Sequence, residues 1–330
     1  MKINNAIIHW VQKDAHKKST LQKRVSELKI DESVTNFVNN VRANYIKTAK
    51  TYGIFNENED SYPFQKFVRS YLDSEKEFVD FSLKSTNHFQ VVIDKASSAK
   101  GGYLIFINYE VDDNQFLMVL ILNDKVGSGI DRKTLSINDT MNLDVDKLHF
   151  VSRLNINKWN TDNNNYITFI KGAKKKGVDY SNYFTDFIGC TDITKPKEST
   201  EKLIVAINDY IRENSLEDDA EAIKLKLHSY CTERRKERKP IDLKQLSYYL
   251  DDENPDDFFS FANQDKYGLS GSFDADQTTL NRLKKYSYRG TKFSISFARE
   301  MLNKTIHYDE KKKQLLITKL PEQLQKQFDE

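Results

Sequence analysis

The chain has 330 residues, enough for one large domain or two ordinary ones with a real hydrophobic core. Lys and Arg number 51 and Asp and Glu 49, so the formal net charge of +2 excludes a histone-like packaging protein with bulk positive charge. Only two cysteines, Cys190 and Cys231, occur, which excludes a disulfide framework and indicates reduced thiols. We expect no signal peptide, because Met1–Asp14 lacks an apolar core, and no membrane span. These features favour a cytoplasmic location.

The first half of the chain predicts an antiparallel or mixed sheet with two or three helices. A strand is expected over residues 3–11, and a run carrying Leu21 is compatible with either strand or helix. An apolar i, i+3/i+4 stripe predicts a helix capped by Asp31 or Ser33. Helical patterns recur between Phe64 and Phe89.

A β-rich stretch follows these helices. Gly101-Gly102 opens a predicted strand over 103–111, which an acidic turn joins to a second strand over 116–122. The pattern is typical of a hairpin with buried strands. Further strands are predicted over 134–138, 149–156 and 166–170.

The second half of the chain is predicted to be mainly helical. Polar residues around Pro196 suggest a boundary, so we divide the chain into domains 1–192 and 193–330. Amphipathic patterns predict helices from Leu203 onward, from about Leu216 to Lys236, and after Asp242. Alternating residues near the end predict a small β-meander over 292–297, 304–308 and 314–318. The expected fold class is α+β.

Three basic clusters are candidates for binding an anion, and the commonest large anion in a cell is nucleic acid. The first basic cluster is a lysine-rich loop after the run YITFIKG, the second ends a predicted helix, and the third is interleaved with Tyr286 and Tyr288. Solvated surface charge, or cations complementing a helix dipole, explain such clusters equally well. The predicted DNA-binding residues are Lys171, Lys174, Lys175 and Lys176 in the first cluster, Arg234, Arg235 and Arg238 in the second, and Arg282, Lys284, Lys285, Arg289 and Lys292 in the third.

Landmarks along the chain resemble one known family. They are YITFIKG with its basic loop and YFTDFIGC, AIIH at residues 6–9, AKTYGIF at 49–55, GGYLIF at 101–106, Trp159, SYC at 229–231 and SFDAD at 272–276. In this order and spacing the chain is similar to the bacterial nucleoid-associated protein family of the NdpA type. The resemblance implies association with DNA and supplies no catalytic motif. We place AKTYGIF at the close of the first long helix.

Sequence-specific reading of bases is not supported. Two short helices predicted near 242–250 and 254–263 have the spacing of a helix-turn-helix. The second is rich in Phe and Asp and poor in Lys and Arg, which is wrong for a helix that enters the major groove. An αα-hairpin is therefore the preferred interpretation.

Metal-dependent nuclease chemistry needs clustered carboxylates. Candidates are Glu110, Asp112, Asp113 and Asp124 at predicted strand ends, but a hydrophilic turn explains them at least as well. We expect no catalytic residue, no metal site and no cofactor.

The favoured hypothesis is a non-enzymatic nucleoid protein that binds double-stranded DNA through phosphate contacts with little sequence preference. Two alternatives stay open: a protein-interaction adaptor linked to DNA-maintenance or anti-foreign-DNA machinery, and a metal-dependent nuclease. Other partners would be DNA-processing proteins and a second copy in a homodimer, not a membrane.

Overall fold

The computed structural model describes residues 1–161, 165–170 and 182–328, which divide into two compact units. The first unit comprises Met1–Thr194 and Asn263–Ser272, and the second comprises Lys195–Ala262 and Phe273–Glu330. The segment Asn263–Ser272, called here the return segment, thus completes the first unit from the far half of the chain. The division into domains 1–192 and 193–330 stays a prediction about independent folding.

The first unit is built on strands and short connecting helices. Its strands are β1 (Lys2–Gln12), β2 (Thr20–Lys23), β3 (Thr51–Phe55), β4 (Gly102–Val111), β5 (Asn114–Leu122), β6 (Asp124–Ile130), β7 (Ile137–Leu143), β8 (Phe150–Asn155), β9 (Ile167–Ile170) and β10 (Cys190–Asp192). Its helices are α1 (Glu32–Ile46), α2 (Phe64–Leu72), α3 (Phe78–Lys95), α4 (Ile156–Asn160) and α5 (Asn182–Ile188).

Eight of these strands form one antiparallel sheet in the order β10-β3-β9-β8-β5-β4-β1-β2. Apolar side chains of α2, α3 and α5 pack with one face of the sheet. Apolar side chains of α1 pack with the other face. Because both faces are covered, β4 and β5 carry nearly continuous apolar runs rather than a strict alternation. The predicted α+β class is confirmed.

The predicted hairpin between β4 and β5 is also confirmed. Asp112 and Asp113 form its turn with φ of 48° and 60°, a backbone conformation that Asp tolerates better than most residues. A β-carbon on Gly101 would lie 1.9 Å from the carbonyl oxygen of Val11, so only glycine allows this close approach to β1.

Helix α1 begins as predicted, because the side chain of Asp31 accepts a hydrogen bond from the Val34 amide at 3.0 Å. Its predicted end was wrong. The helix stops at Ile46, and residues 51–55 form β3, which pairs with β9 and β10. The β-prone letters TYGIF favour this pairing over a continued helix.

The strand predicted over 134–138 is displaced. The carboxylate of Asp131 accepts hydrogen bonds from the amides of Lys133 and Thr134, which holds these residues in a turn. The strand that follows is β7, and it pairs with β6, which the sequence did not predict.

The second unit is mainly helical, as predicted. Its helices are α6 (Pro196–Glu213), α7 (Ala220–Lys236), α8 (Leu243–Leu250), α9 (Asp257–Ala262), α10 (Gln277–Leu280) and α11 (Glu322–Gln325). Its strands are β11 (Ile241–Asp242), β12 (Ser272–Phe273), β13 (Lys285–Arg289), β14 (Ser294–Ala298), β15 (Ile306–Asp309) and β16 (Gln314–Ile317). The terminal strands form two separate antiparallel hairpins, β13–β14 and β15–β16.

Pro196 opens α6 rather than interrupting the chain, because a proline at the first helical position loses no hydrogen bond. The core of the second unit buries Leu203, Leu227, Cys231 and Phe258. Burial raises the pKa of the Cys231 thiol to about 12, so this cysteine is a packed, unreactive residue. Both cysteines are free thiols, as expected.

The return segment caps the end of α1. The side-chain amide of Asn263 donates to the carbonyl oxygens of Ile46 at 2.8 Å and Thr48 at 3.1 Å. Further along, the Gly271 amide donates to the Lys50 carbonyl at 2.7 Å. The bond to Ile46 satisfies a carbonyl that the helix end leaves without an intrahelical partner, and the other two bonds hold the chain that follows the helix.

We predict that Asn263→Ala lowers the free energy of unfolding by about 1 kcal/mol, because the part-buried carbonyls of Ile46 and Thr48 lose the donor that they share. Asn40→Ala is the matched control, since Asn40 is exposed on the same helix. Urea denaturation of both variants measures the difference. Equal stability of the two variants would contradict the role given to Asn263.

Candidate nucleic-acid interface

The first basic cluster lies outside the described residues. Lys171, Lys174, Lys175 and Lys176 belong to the stretch between β9, which ends at Ile170, and α5. Their assignment to DNA binding stays a prediction.

The second basic cluster ends α7. Arg234, Arg235 and Lys236 form the last turn of the helix, where cations complement the helix dipole. Arg234 is partly used for structure, because its Nε donates to the carbonyl oxygen of Pro240 at 3.0 Å. Lys239 pairs with Glu237 at 2.9 Å. Arg235, Lys236 and Arg238 are exposed and form no ion pair with any described residue.

The third basic cluster begins at the end of a short 3-10 helix over Asn281–Leu283 and continues onto the hairpin β13–β14. Lys285 and the backbone of Arg289 belong to β13, and Lys292 lies in the connection to β14. Arg282 forms an ion pair with Glu201 at 3.2 Å, which reduces its availability for a phosphate. Between residues 282 and 304 the chain carries seven Lys or Arg residues and one carboxylate, Glu300. The hairpin region is therefore locally basic although the whole chain is nearly neutral.

An exposed aromatic pair marks the same hairpin. Tyr288 and Phe293 are each 61% exposed, and their ring centroids lie 6.2 Å apart. At the base of the hairpin, the guanidinium of Arg299 lies 4.3 Å from the ring centre of Tyr286. Exposed rings beside lysines can pack against sugars or bases while the lysines contact phosphates.

The structure brings the second and third clusters onto adjoining elements of the second unit. Burial lowers the pKa of His228 on α7, and the nearby charge of Lys284 lowers it further. Hydrogen bonds from Thr279 hold the pKa of Asp276 low at the start of α10, and the charge of Arg235 acts in the same direction. Helix α7 contacts both α10 and the 3-10 helix over Asn281–Leu283, so the elements that carry the two clusters adjoin.

One further basic run, in the second unit, was not predicted from the sequence. Lys311, Lys312 and Lys313 form the turn between β15 and β16, and Lys312 lies 4.0 Å from the carboxylate of Asp309. The same criterion that selected Lys174–Lys176, three consecutive lysines, would have found this turn.

A charged site within the first unit was missed as well. Arg153 on β8 is only 7% exposed, and its guanidinium pairs with the Asp265 carboxylate at 2.5 Å. Burial alone would raise the pKa of Asp265, but the charge and hydrogen bond of Arg153 hold it below its usual value. Lys50 lies within the influence of this pair and is 3% exposed, and burial lowers its pKa to about 8. No spacing rule connects residues 50, 153 and 265, so sequence patterns gave no signal.

The chain matches a known protein family over nearly its whole length. The family described as nucleoid-associated protein YejK matches residues 7–325. The chain belongs to this family. A nucleoid-associated protein of Pseudomonas entomophila is 31% identical over 98% of this chain and 97% of its own length. A nucleoid-associated protein of Metapseudomonas resinovorans is 32% identical over 99% of both chains. The resemblance drawn from the sequence is confirmed, and membership implies a location at the nucleoid, in the cytoplasm.

The carboxylates considered for metal binding have local structural partners. Glu110 accepts a hydrogen bond from the Asn4 amide at 2.8 Å, and Asp124 accepts one from the Tyr103 hydroxyl at 3.3 Å. Asp112 and Asp113 form the β4–β5 turn. In the part of the chain that the structure describes, no group of three His, Cys, Asp or Glu side chains has metal-binding geometry. Within the same residues, the helices are too short or too polar to cross a bilayer.

We predict that Lys50→Met stabilises the protein at pH 7 by roughly 1–3 kcal/mol, because a buried ammonium group is replaced by an apolar chain of similar length. The pKa of Lys50 in the folded protein, about 8, lies below the usual 10.5. The free-energy cost of burying charged Lys50 is therefore fully present below pH 8, and it disappears as the pH rises toward 10.5. Urea denaturation between pH 6.5 and 9.5 should therefore show a shrinking gain. Lys47→Met, at an exposed lysine, is the control. A gain that does not change with pH would contradict this assignment.

Proposed function

We propose that this chain is a nucleoid protein that binds duplex DNA largely without sequence preference, and that it acts without catalysis. Membership of the nucleoid-associated family supports the association with DNA. The observation that supports the mode of binding best is the basic hairpin β13–β14 with its exposed pair Tyr288 and Phe293. Lysines there would neutralise phosphates and release counterions.

The charges on the adjoining end of α7 extend this surface. Arg235, Lys236 and Arg238 are exposed, and guanidinium groups can contact two phosphate oxygens at once. Lys284 and Lys285 are exposed at the start of the hairpin. The second and third clusters occupy adjoining elements, which supports the proposal that both contact one duplex. The turn Lys311–Lys313 adds further cations to the second unit.

The helices of the second unit favour contacts with the DNA phosphates over the reading of base edges. Helix α9 covers only Asp257–Ala262 and carries no Lys or Arg. A helix this short and without cations is poorly suited to the major groove. Phosphate contacts position a protein on the duplex without reading its sequence.

We predict that reversing the hairpin charges, with Lys284→Glu, Lys285→Glu and Lys292→Glu together, weakens binding to a labelled duplex. Each lost phosphate contact should reduce the slope of log affinity against log salt by about 0.9, so the slope should fall by roughly two to three units. Fluorescence anisotropy across a salt series measures it. The matched control reverses three exposed lysines of the first unit, Lys18, Lys29 and Lys84.

A second variant carries Lys174→Glu, Lys175→Glu and Lys176→Glu and tests the first basic cluster in the same assay. If the control variant lowers the slope as much as the hairpin variant, the position of the lysines on the hairpin does not determine DNA binding. Absence of binding at low salt would overturn the proposal and favour the adaptor. Shortened DNA after incubation with magnesium would favour the nuclease instead.

A further inference from the structure

The first unit contains a cavity of about 520 Å³ at the end of β4, β5 and β8, beside α1 and the return segment. This size is that of a site for a small organic ligand and is far larger than one inorganic ion requires. Five cationic side chains line the cavity: Arg42, Lys50, Arg153, Lys158 and Lys266. Two carboxylates, Asp112 and Asp265, oppose them. The excess of positive charge favours an anionic ligand.

Two buried donors beside this cavity have no hydrogen-bond partner among the described residues. They are the Nε atoms of Arg42 and Arg153. Arg153 uses another guanidinium nitrogen for its ion pair with Asp265. A buried donor without an acceptor costs stability, and proteins tolerate it mainly where a ligand or an ion completes the bond.

The cavity also offers an acceptor without a donor. Asn263 uses its side-chain nitrogen to cap α1, while its Oδ1 is buried and accepts no hydrogen bond from a described residue. A suitable ligand therefore combines an anionic group for the arginines with a hydrogen-bond donor for Asn263. Aromatic rings of Tyr52, Phe116 and Tyr166 line the same space and can contact a planar group.

We propose that this cavity binds a nucleoside phosphate, with the phosphate toward the cationic side chains and the base among the rings and amides. The ligand is either a free nucleotide or the phosphorylated end of a nucleic-acid strand, since both present this chemistry. The site belongs wholly to the first unit and does not rest on duplex binding by the second. Arg153 would exchange part of its contact with Asp265 for the incoming phosphate.

The first experiment titrates the full-length protein with dAMP by isothermal titration calorimetry, with deoxyadenosine and inorganic phosphate as half-ligands. We expect dAMP to bind and each half-ligand to bind at least about tenfold more weakly, because only dAMP offers both groups. Lys158→Glu and, separately, Arg42→Gln should each weaken dAMP by about tenfold. Lys84→Glu matches the charge change of Lys158→Glu at an exposed site outside the cavity and should leave binding unchanged.

A competition experiment distinguishes a free nucleotide from a phosphorylated strand end. Displacement of dAMP by a 5′-phosphorylated oligonucleotide, but not by its 5′-hydroxyl form, would identify a strand end, and no displacement by either would identify a free nucleotide. Thermal melts followed by circular dichroism establish whether each cavity variant is folded. If a variant does not fold, the milder Lys158→Gln is tested in its place. No binding of dAMP at millimolar concentration, or binding that the cavity variants leave intact, would overturn the proposal. Loss of duplex binding by the hairpin variant with dAMP binding intact would separate this site from the interface of the second unit.

Discussion

The buried guanidinium of Arg153 is the constraint around which the first unit is organised. Arginine does not lose its proton in a protein, so its charge must be compensated where it lies. Asp265 provides the countercharge, and the rings of Tyr45 and Phe116 lie 5.1 Å and 4.7 Å from the guanidinium carbon. One residue of β8 thereby ties together α1, β5 and the return segment. The same charge prevents the cavity beside it from becoming an ordinary apolar core.

The sheet and its covering helices were largely predictable because they follow local rules. Apolar runs of strand length marked β4, β5, β8 and β9, and Asp31 marked the start of α1 through its capping hydrogen bond. The basic clusters of the second unit were also visible as composition. Their exposed residues could be separated from their structural ones only in three dimensions, as Arg234 and Arg282 show by their bonds to Pro240 and Glu201.

Long-range contacts escaped the sequence analysis. The end of α1 depends on Asn263, more than 200 residues away, and no periodicity encodes that bond. Residues 49–55 were assigned to a helix end although TYGIF is β-prone, because their pairing partners β9 and β10 lie far along the chain. The cavity is formed by side chains from four distant parts of the chain. None of its cationic residues belongs to a run of lysines, so clustered charge gives no sign of the site.

The return segment also affects how the protein is made. Asp265 follows Arg153 by 112 residues, so ribosomes must synthesise helices α6 to α9 of the second unit before the first unit can be completed. At about 5–20 residues per second this interval lasts on the order of 10 s, far longer than a hairpin needs to form. Until Asp265 has been synthesised, the first unit lacks the carboxylate that pairs with Arg153. We therefore expect the first unit to reach its full stability only after most of the chain has left the ribosome.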